Sequence, residues 1–343
     1  MARPAISVII IAYDRKTFLM DALDSVVNQT LQRDFYEIAV IKNFVDPEID
    51  EAILSSGSKL INSVDSSLGG KIIEGVENTS APVICLLEDD DIFAPDKLVE
   101  ILNVFENKRS LSYYHHEVKY VDEHGKTLSN FAKPKDARIM DKIGKLQFDG
   151  DLAKIPKILF KVYPYFNLSS MAIARKNLVE CKNVLKGRTS IVDTFLFFAI
   201  MIQASPMIFD SRELSLYRVH GGNDSYFNPR DSESERFLRR LNTVRNSYEE
   251  LREFVFRKNS GGVLAKVSQL LFVSKILQGL QFNFNRKFFL NALRMMKSDG
   301  GFKYALSRKD TLIFCIAYLI SQRLGLYLYY MRYPERKKVV KAS

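Results

Sequence analysis

SVIIIAYDRKTFLMDALDSVVNQT, residues 7–30, sets two patterns back to back. The run Ile6–Ala12 is apolar on both faces of an extended chain, as strands buried in the middle of parallel sheets tend to be, and Thr17–Gln29 carries a helical pattern. The alternation continues downstream through Tyr36–Lys42, Pro47–Leu54, Lys59–Ile61, Gly70–Asn78, Val83–Leu87 and Pro95–Glu106. Strands and helices in this rhythm predict βαβ units, and so an α/β fold with a mostly parallel central sheet and helices on both faces. Leu111–Tyr120, the turn-like Asp122–Gly125 and Lys126–Asn130 read as a hairpin, and residues 131–160 are weakly patterned.

The chain has 343 residues, of which 47% are apolar and 26% charged, an ordinary globular composition that excludes disorder as the default. Its three cysteines, Cys85, Cys181 and Cys315, are far apart and show no metal or redox spacing, so a reducing compartment is expected. The apolar run at Ile6 is too short to span a membrane and is followed by Asp14, Arg15 and Lys16 instead of a small-residue cleavage site. It is expected to be a strand, not a signal peptide.

Net charge is unevenly spread. Residues 231–343 hold 22 Lys and Arg against 9 Asp and Glu, and residues 1–230 hold 28 against 31. Two regions are therefore expected, 1–230 as a catalytic domain and 231–343 as a basic, aromatic-rich helical region. The stretch TLIFCIAYLISQRLGLYLYYM, residues 311–331, is long enough to cross a bilayer, yet Gln322 and Arg323 near its middle favour an interfacial or docked helix.

Open α/β sheets bind ligands beyond the carboxyl ends of their strands, which draws attention to Tyr13 and Asp14, to Lys42 and Asn43, and to Glu88–Asp91. In LLEDDDIFAP, residues 86–95, four consecutive acids end an apolar run. Such a cluster is tolerable in solvent or beside a cation. Its hard oxygens suit Mg²⁺ or Mn²⁺ held together with a diphosphate.

Residues 7–30 followed by LLEDDDIFAPDKL resemble the family 2 inverting glycosyltransferases, which open with a strand, a Thr/Ala-Tyr-Asn/Asp-Arg turn and a helix ending in Ser-Val-x-x-Gln-Thr. LYRVHGGNDS, residues 216–225, looks like the segment that closes the catalytic domain in many members, so the resemblance runs over roughly residues 5–228. It implies a GT-A fold whose metal motif is Glu88, Asp89, Asp90 and Asp91, with Asp90 aligned to the acid that most directly meets the metal. Ala12, Tyr13, Asp14, Asn43, Lys71, Asp89 and Arg218 are implied to bind the donor, and His220 to meet the metal or diphosphate. In RTSIVDTFLFFAI, residues 188–200, Val192 stands where members carry Glu, and Asp193 is implied to be the general base. YPYFNLSSMAIARKNL, residues 163–178, resembles the acceptor-side strand, which places Asn167, Ser169 and Ser170 beside the sugar pocket. Taken alone, a helix-start acid or a lone histidine is more often structural.

The implied activity is metal-dependent inverting transfer of a sugar from a nucleotide-sugar donor, UDP-sugar ahead of GDP-sugar, to a glycan or lipid-linked acceptor. Where members end the second strand with an acid-rich turn, this chain has Ile41-Lys42-Asn43-Phe44, which opens the question of the nucleotide. That substitution also keeps an inactive sugar-binding or assembly protein of the same fold as an alternative. A nucleic-acid-binding protein is the rival from another class; the basic charge is confined to residues 231–343, which carry no RNA-binding signature. The expected location is the cytoplasm, and the C-terminal third carries two readings side by side: attachment to the cytoplasmic face of an anionic membrane through Arg332, Arg336, Lys337, Lys338 and Lys341 after the apolar stretch, or a helical subdomain that packs Phe and Leu into its own core.

Overall fold

A computed structural model describes residues 3–13, 16–128, 138–155, 164–221 and 235–258, with residues 262, 264 and 268 besides. Asp14, the stretch 311–331 and the basic residues after it lie outside the described residues. The chain divides into two compact units, Met1–Val219 and His220–Ser343.

In the first unit the sequence rhythm becomes β1 (Ile6–Ile11), α1 (Leu19–Val27), β2 (Tyr36–Lys42), α2 (Pro47–Ser55), β3 (Lys59–Asn62), α3 (Leu68–Glu77) and β4 (Val83–Glu88). All six residues of β1 are buried because parallel strands flank it on both sides: Ile6 pairs with Tyr36 and Val83, and Ile11 with Ile41 and Glu88. Local signals set the helix starts. Asp46 caps α2 by accepting from Ile49 N at 3.2 Å, with Pro47 at the first turn, and Ser67 caps α3 by accepting from Gly70 N at 3.0 Å.

Strand alternation distributes the helices. Val8, Ile10, Ile38, Val40, Cys85 and Leu87 join a core with α1 and with α4 (Lys97–Asn107), whereas Ile9 and Ile41 point to the opposite face, under α3. Gly75 permits that second contact, since a Cβ there would lie 2.5 Å from Ile9 Cγ2 and 3.0 Å from Ile41 Cδ1.

The sheet order is β3-β2-β1-β4-β8-β6-β9-β5, with β7 (Lys145–Phe148) also pairing β9. From β3 to β4 it is parallel, as the pattern predicts. Beyond β4 it is mixed. β8 (Met171–Ala174) runs antiparallel between β4 and β6 (Tyr113–Val121), while β9 (Met207–Arg218) is parallel to β6 and antiparallel to β5 (Ile92–Phe93) and β7. The predicted hairpin is a tight return: Leu128 N donates to Tyr120 O, and Val121 bridges Thr127. Four further α-helices are described in this unit: α5 (Arg138–Ile143), α6 (Arg175–Val179), α7 (Lys182–Leu185) and the almost wholly buried α8 (Val192–Met201).

At the amino end of the sheet, the Glu37 carboxylate gathers Ser7 Oγ at 2.9 Å, Ser80 N at 2.6 Å, Ala81 N at 3.0 Å and Lys59 Nζ at 2.9 Å. Burial pushes its pKa up, but the bonds from Ser80, Lys59, Ser7 and Ala81 outweigh that and hold it at about 2.

In the second unit, α9 (Glu235–Lys258) is the long element among the described residues, and it buries Tyr248, Leu251 and Val255 at helical spacing. Among the described residues, no helix is long and apolar enough to cross a membrane.

Candidate active site

The acidic turn begins at the carboxyl end of β4, the central strand beside β1, and lies between the end of β1 and the end of β9. Asp89, Asp90 and Asp91 are all buried and Glu88 is half-buried. The solvated-loop reading of these acids therefore does not apply. Their oxygens are instead met by protein donors. Tyr13 N donates to Asp89 Oδ2 at 3.2 Å, Asn167 Nδ2 to Asp91 Oδ2 at 2.6 Å and Glu88 Oε2 at 3.4 Å, and Arg218 N to Asp91 Oδ1 at 3.1 Å.

These bonds do not remove the electrostatic load. Burial raises the Glu88 pKa well above the usual carboxylate range, and Asp90, Asp91, Asp193 and Asp89 add to it. Burial likewise pushes Asp91 up to about 7, with Asp90 adding to the rise and the bonds from Ser169, Asn167 and Arg218 opposing it. Asp193 is thus within electrostatic reach of Glu88, and it also raises the pKa of the buried Tyr113 phenol beyond what burial alone does. Residues 88 and 193, distant in sequence, share one field.

Asp193 occupies the first turn of α8, where its Oδ1 accepts from Thr194 N at 2.6 Å and Thr194 Oγ1 at 3.2 Å. The residue before the helix, Ile191, has φ 47° and ψ 37°, a left-handed conformation that a β-branched side chain adopts at a cost. Asn167 also has positive φ, at 65°. Two of the three non-glycine residues with positive φ among the described residues therefore hold the segments that carry Asn167 and Asp193.

Asn167, Ser169 and Ser170, expected beside the sugar pocket, are buried and turned toward the acids. Ser169 Oγ accepts from Glu88 N at 3.1 Å, and Ser170 Oγ donates to Asn167 Oδ1 at 3.2 Å. Arg218, expected as an anion partner, is 2% exposed and clamps the turn. Its Nε donates to Asp90 O at 3.1 Å, one terminal nitrogen to Glu123 O at 2.6 Å and the other to Asp21 Oδ2 at 2.7 Å, with the guanidinium carbon 4.3 Å from the Phe18 ring centroid.

On the donor side, Ala12 is buried, the Tyr13 ring is 46% exposed and Lys71 Nζ lies 4.3 Å from its centroid. Asn43 follows β2 and is half-buried. Lys42, the residue that departs from the family pattern, is turned inward with its side chain fully buried. Its Nζ is 2.7 Å from Asp50 Oδ1, donates to Asn62 Oδ1 at 3.1 Å and to the Phe44 carbonyl, and lies 4.8 Å from the Phe44 ring. His220 is the first residue of the second unit.

Sequence reasoning passed over Lys97, Ser215, Asp21, Phe18 and Glu123, all of which support this turn. Lys97 had a signal: a lysine at a helix start opposes the macrodipole and calls for some other use of its charge.

Among the described residues, no three or more His, Cys, Asp or Glu side chains form a group arranged to hold a metal ion. Hard carboxylate oxygens at a buried, self-repelling turn nevertheless have the chemistry of a Mg²⁺ or Mn²⁺ site that is completed by a ligand's phosphates, where one or two protein carboxylates suffice.

A parallel half-sheet with an acidic turn at the carboxyl end of its central strand, continued by a mixed half-sheet that braces the turn, defines the GT-A class of α/β folds. The sequence model of Glycosyl transferase family 2 matches residues 7–171. An uncharacterized glycosyltransferase of Rickettsia felis is 25% identical over 229 residues, covering 65% of this chain and 35% of its own length. The putative glycosyltransferase EpsH of Bacillus subtilis is 24% identical over 230 residues, covering 64% of this chain and 62% of its own. The chain thus spans only about a third to three-fifths of these curated relatives. The crystal structure of S. aureus TarS 1–349 in complex with UDP-GlcNAc shares the fold at a TM-score of 0.58 and 12% identity, over 97% of this chain and 89% of that one.

Proposed function

We propose that the protein is an inverting glycosyltransferase that moves a sugar from a nucleotide-sugar donor to a hydroxyl of a glycan or lipid-linked acceptor. The observation that carries this reading is the shared field of the acidic turn and Asp193, at the strand ends where Tyr13 also arrives. In inverting transfer the acceptor oxygen attacks the anomeric carbon as the nucleoside diphosphate leaves from the opposite face. Asp193 accepts the acceptor's proton as general base.

Glu88, Asp90 and Asp91 are the residues assigned to hold a divalent ion, which would supply neutralisation of the departing diphosphate when bound. Ala12, Tyr13, Asp14, Asn43, Lys71 and Asp89 are assigned to the donor, with Arg218 holding the turn that faces it. Internal pairing of Lys42 with Asp50 supports a base pocket without a lysine charge, and the UDP-GlcNAc held by the TarS neighbour supports UDP over GDP. Residues 1–230 are the proposed catalytic domain, and the basic residues that follow 311–331 are the proposed contact with an anionic membrane on its cytoplasmic face.

The test is calorimetric titration of UDP and GDP into the wild type and Asp90→Ala, with Mn²⁺ and with EDTA. Mn²⁺-dependent binding of UDP that Asp90→Ala abolishes is expected. No binding of either nucleotide with or without metal would overturn the donor site.

A further inference from the structure

Lys97 opens α4 and is fully buried, directly beneath the acidic turn. Its Nζ donates to the Ser169 carbonyl at 2.5 Å and to Ser215 Oγ at 2.9 Å, and Ser215 Oγ donates in turn to the same carbonyl at 2.8 Å. The Phe93 ring covers the ammonium, with its centroid 3.4 Å away. Burial pushes the Lys97 pKa down to about 7, and the neighbouring Cys85 and Asp91 oppose the fall. A buried ammonium at the positive end of a helix, held by a carbonyl and a hydroxyl, is costly to keep.

The cost is offset by what the carbonyl belongs to. Ser169 lies in the turn that begins at Asn167, whose φ of 65° is unfavourable, and that turn delivers Asn167 Nδ2 to Asp91 and Glu88 and Ser169 Oγ to Glu88 N. α4, β9 and the turn before β8 therefore meet at one carbonyl oxygen, on the residue whose Oγ accepts from Glu88 N.

We propose that Lys97 is a positioning residue: its ammonium, seated on Phe93 and Ser215, pins the strained Asn167–Ser170 turn in the setting where Asn167 and Ser169 orient the acidic turn. It acts through those residues and touches no substrate. The effect on turnover rests on the glycosyltransferase reading; the effect on the turn does not.

Two measurements separate them, on Lys97→Met, which keeps the length and bulk of the stem, and on the milder Ser215→Ala, which keeps the ammonium. Amide hydrogen exchange of the full chain is expected to accelerate at residues 88–91 and 167–171 in both variants and more in Lys97→Met, with β1 and β2 unchanged. Where the wild type transfers sugar from UDP-GlcNAc, or hydrolyses it, kcat is expected to fall roughly tenfold to a hundredfold in Lys97→Met and less in Ser215→Ala, with a smaller change in the donor KM. Unaltered exchange at both segments overturns the proposal whatever the activity. Faster exchange with kcat and KM unchanged also overturns it, since Lys97 would then only support the fold. Faster exchange in a protein whose wild type neither binds UDP nor turns over UDP-GlcNAc retains the pinning role and removes the transferase reading instead. If Lys97→Met does not fold, Ser215→Ala decides by the same two readouts.

Discussion

Replacing Lys42 by methionine tests whether this unusual strand-end lysine addresses the nucleotide or the protein. The side chain is fully buried, and its ammonium is committed to Asp50 at 2.7 Å, to Asn62 at 3.1 Å and to the Phe44 carbonyl. Charge-assisted hydrogen bonds are worth about 1.5–3 kcal/mol each, which sets a ceiling well above the net effect. Asn62 is exposed and regains water, whereas Asp50 Oδ1, the oxygen that meets the ammonium, is buried and is left stranded; against that, the cost of burying the ammonium disappears. A net loss of about 2 kcal/mol is expected for Lys42→Met, and most of it is recovered when Asp50→Asn is added, because removing both partners of a pair strands neither. Urea denaturation of the two single variants and the double gives the coupling directly, and UDP calorimetry on the same samples should show unchanged affinity. An unchanged denaturation midpoint together with UDP binding weakened about tenfold, or about 1.4 kcal/mol, would refute the reasoning, since the ammonium would then be spent on the ligand.

Asp193→Asn should lower kcat on the order of a hundredfold or more while UDP binding stays intact; a variant with wild-type turnover removes Asp193 as the base. Glu37 has a folded pKa of about 2, below its ordinary 4.5, so its stabilising contribution is complete above about 4.5 and is lost as pH falls through about 2. Glu37→Gln should therefore melt lower than the wild type at neutral pH, with the gap closing as pH falls through about 2; a gap that is undiminished at pH 2 and below contradicts this. Gly75→Ala should destabilise by about 1–2 kcal/mol, as the added methyl meets Ile9 Cγ2 at 2.5 Å and outweighs the better helix propensity, and a more stable variant would show that α3 has room to shift.

The parallel half of the sheet was legible because each strand and helix from β1 to α4 announces itself locally, through a doubly apolar run, a capping Asp46 or Ser67, or a helical stripe. Which strands pair beyond β4 was not. β8 is four residues long, and its insertion between β4 and β6 is decided by contacts about ninety residues apart in the chain, which no periodicity records. The acidic turn was legible as a site by its composition and position, but its burial was not, since consecutive acids look solvated until the donors from Asn167, Tyr13 and Arg218 are brought to them. Lys42 shows the same limit from the other side: its type was visible, and the direction of its side chain was set by Asp50 on a helix eight residues later.

The bracing of the acidic turn has a consequence for the order in which the molecule can be made. Asp91 leaves the ribosome 76 residues before the asparagine that bridges it and 127 residues before the arginine whose amide caps it. β1 to α4 are short-range structure and can gather early, whereas the contacts that quieten four crowded acids wait for late-synthesised chain. Until β9 has docked, a nascent or cleaved chain is a sheet whose acidic turn is not yet braced.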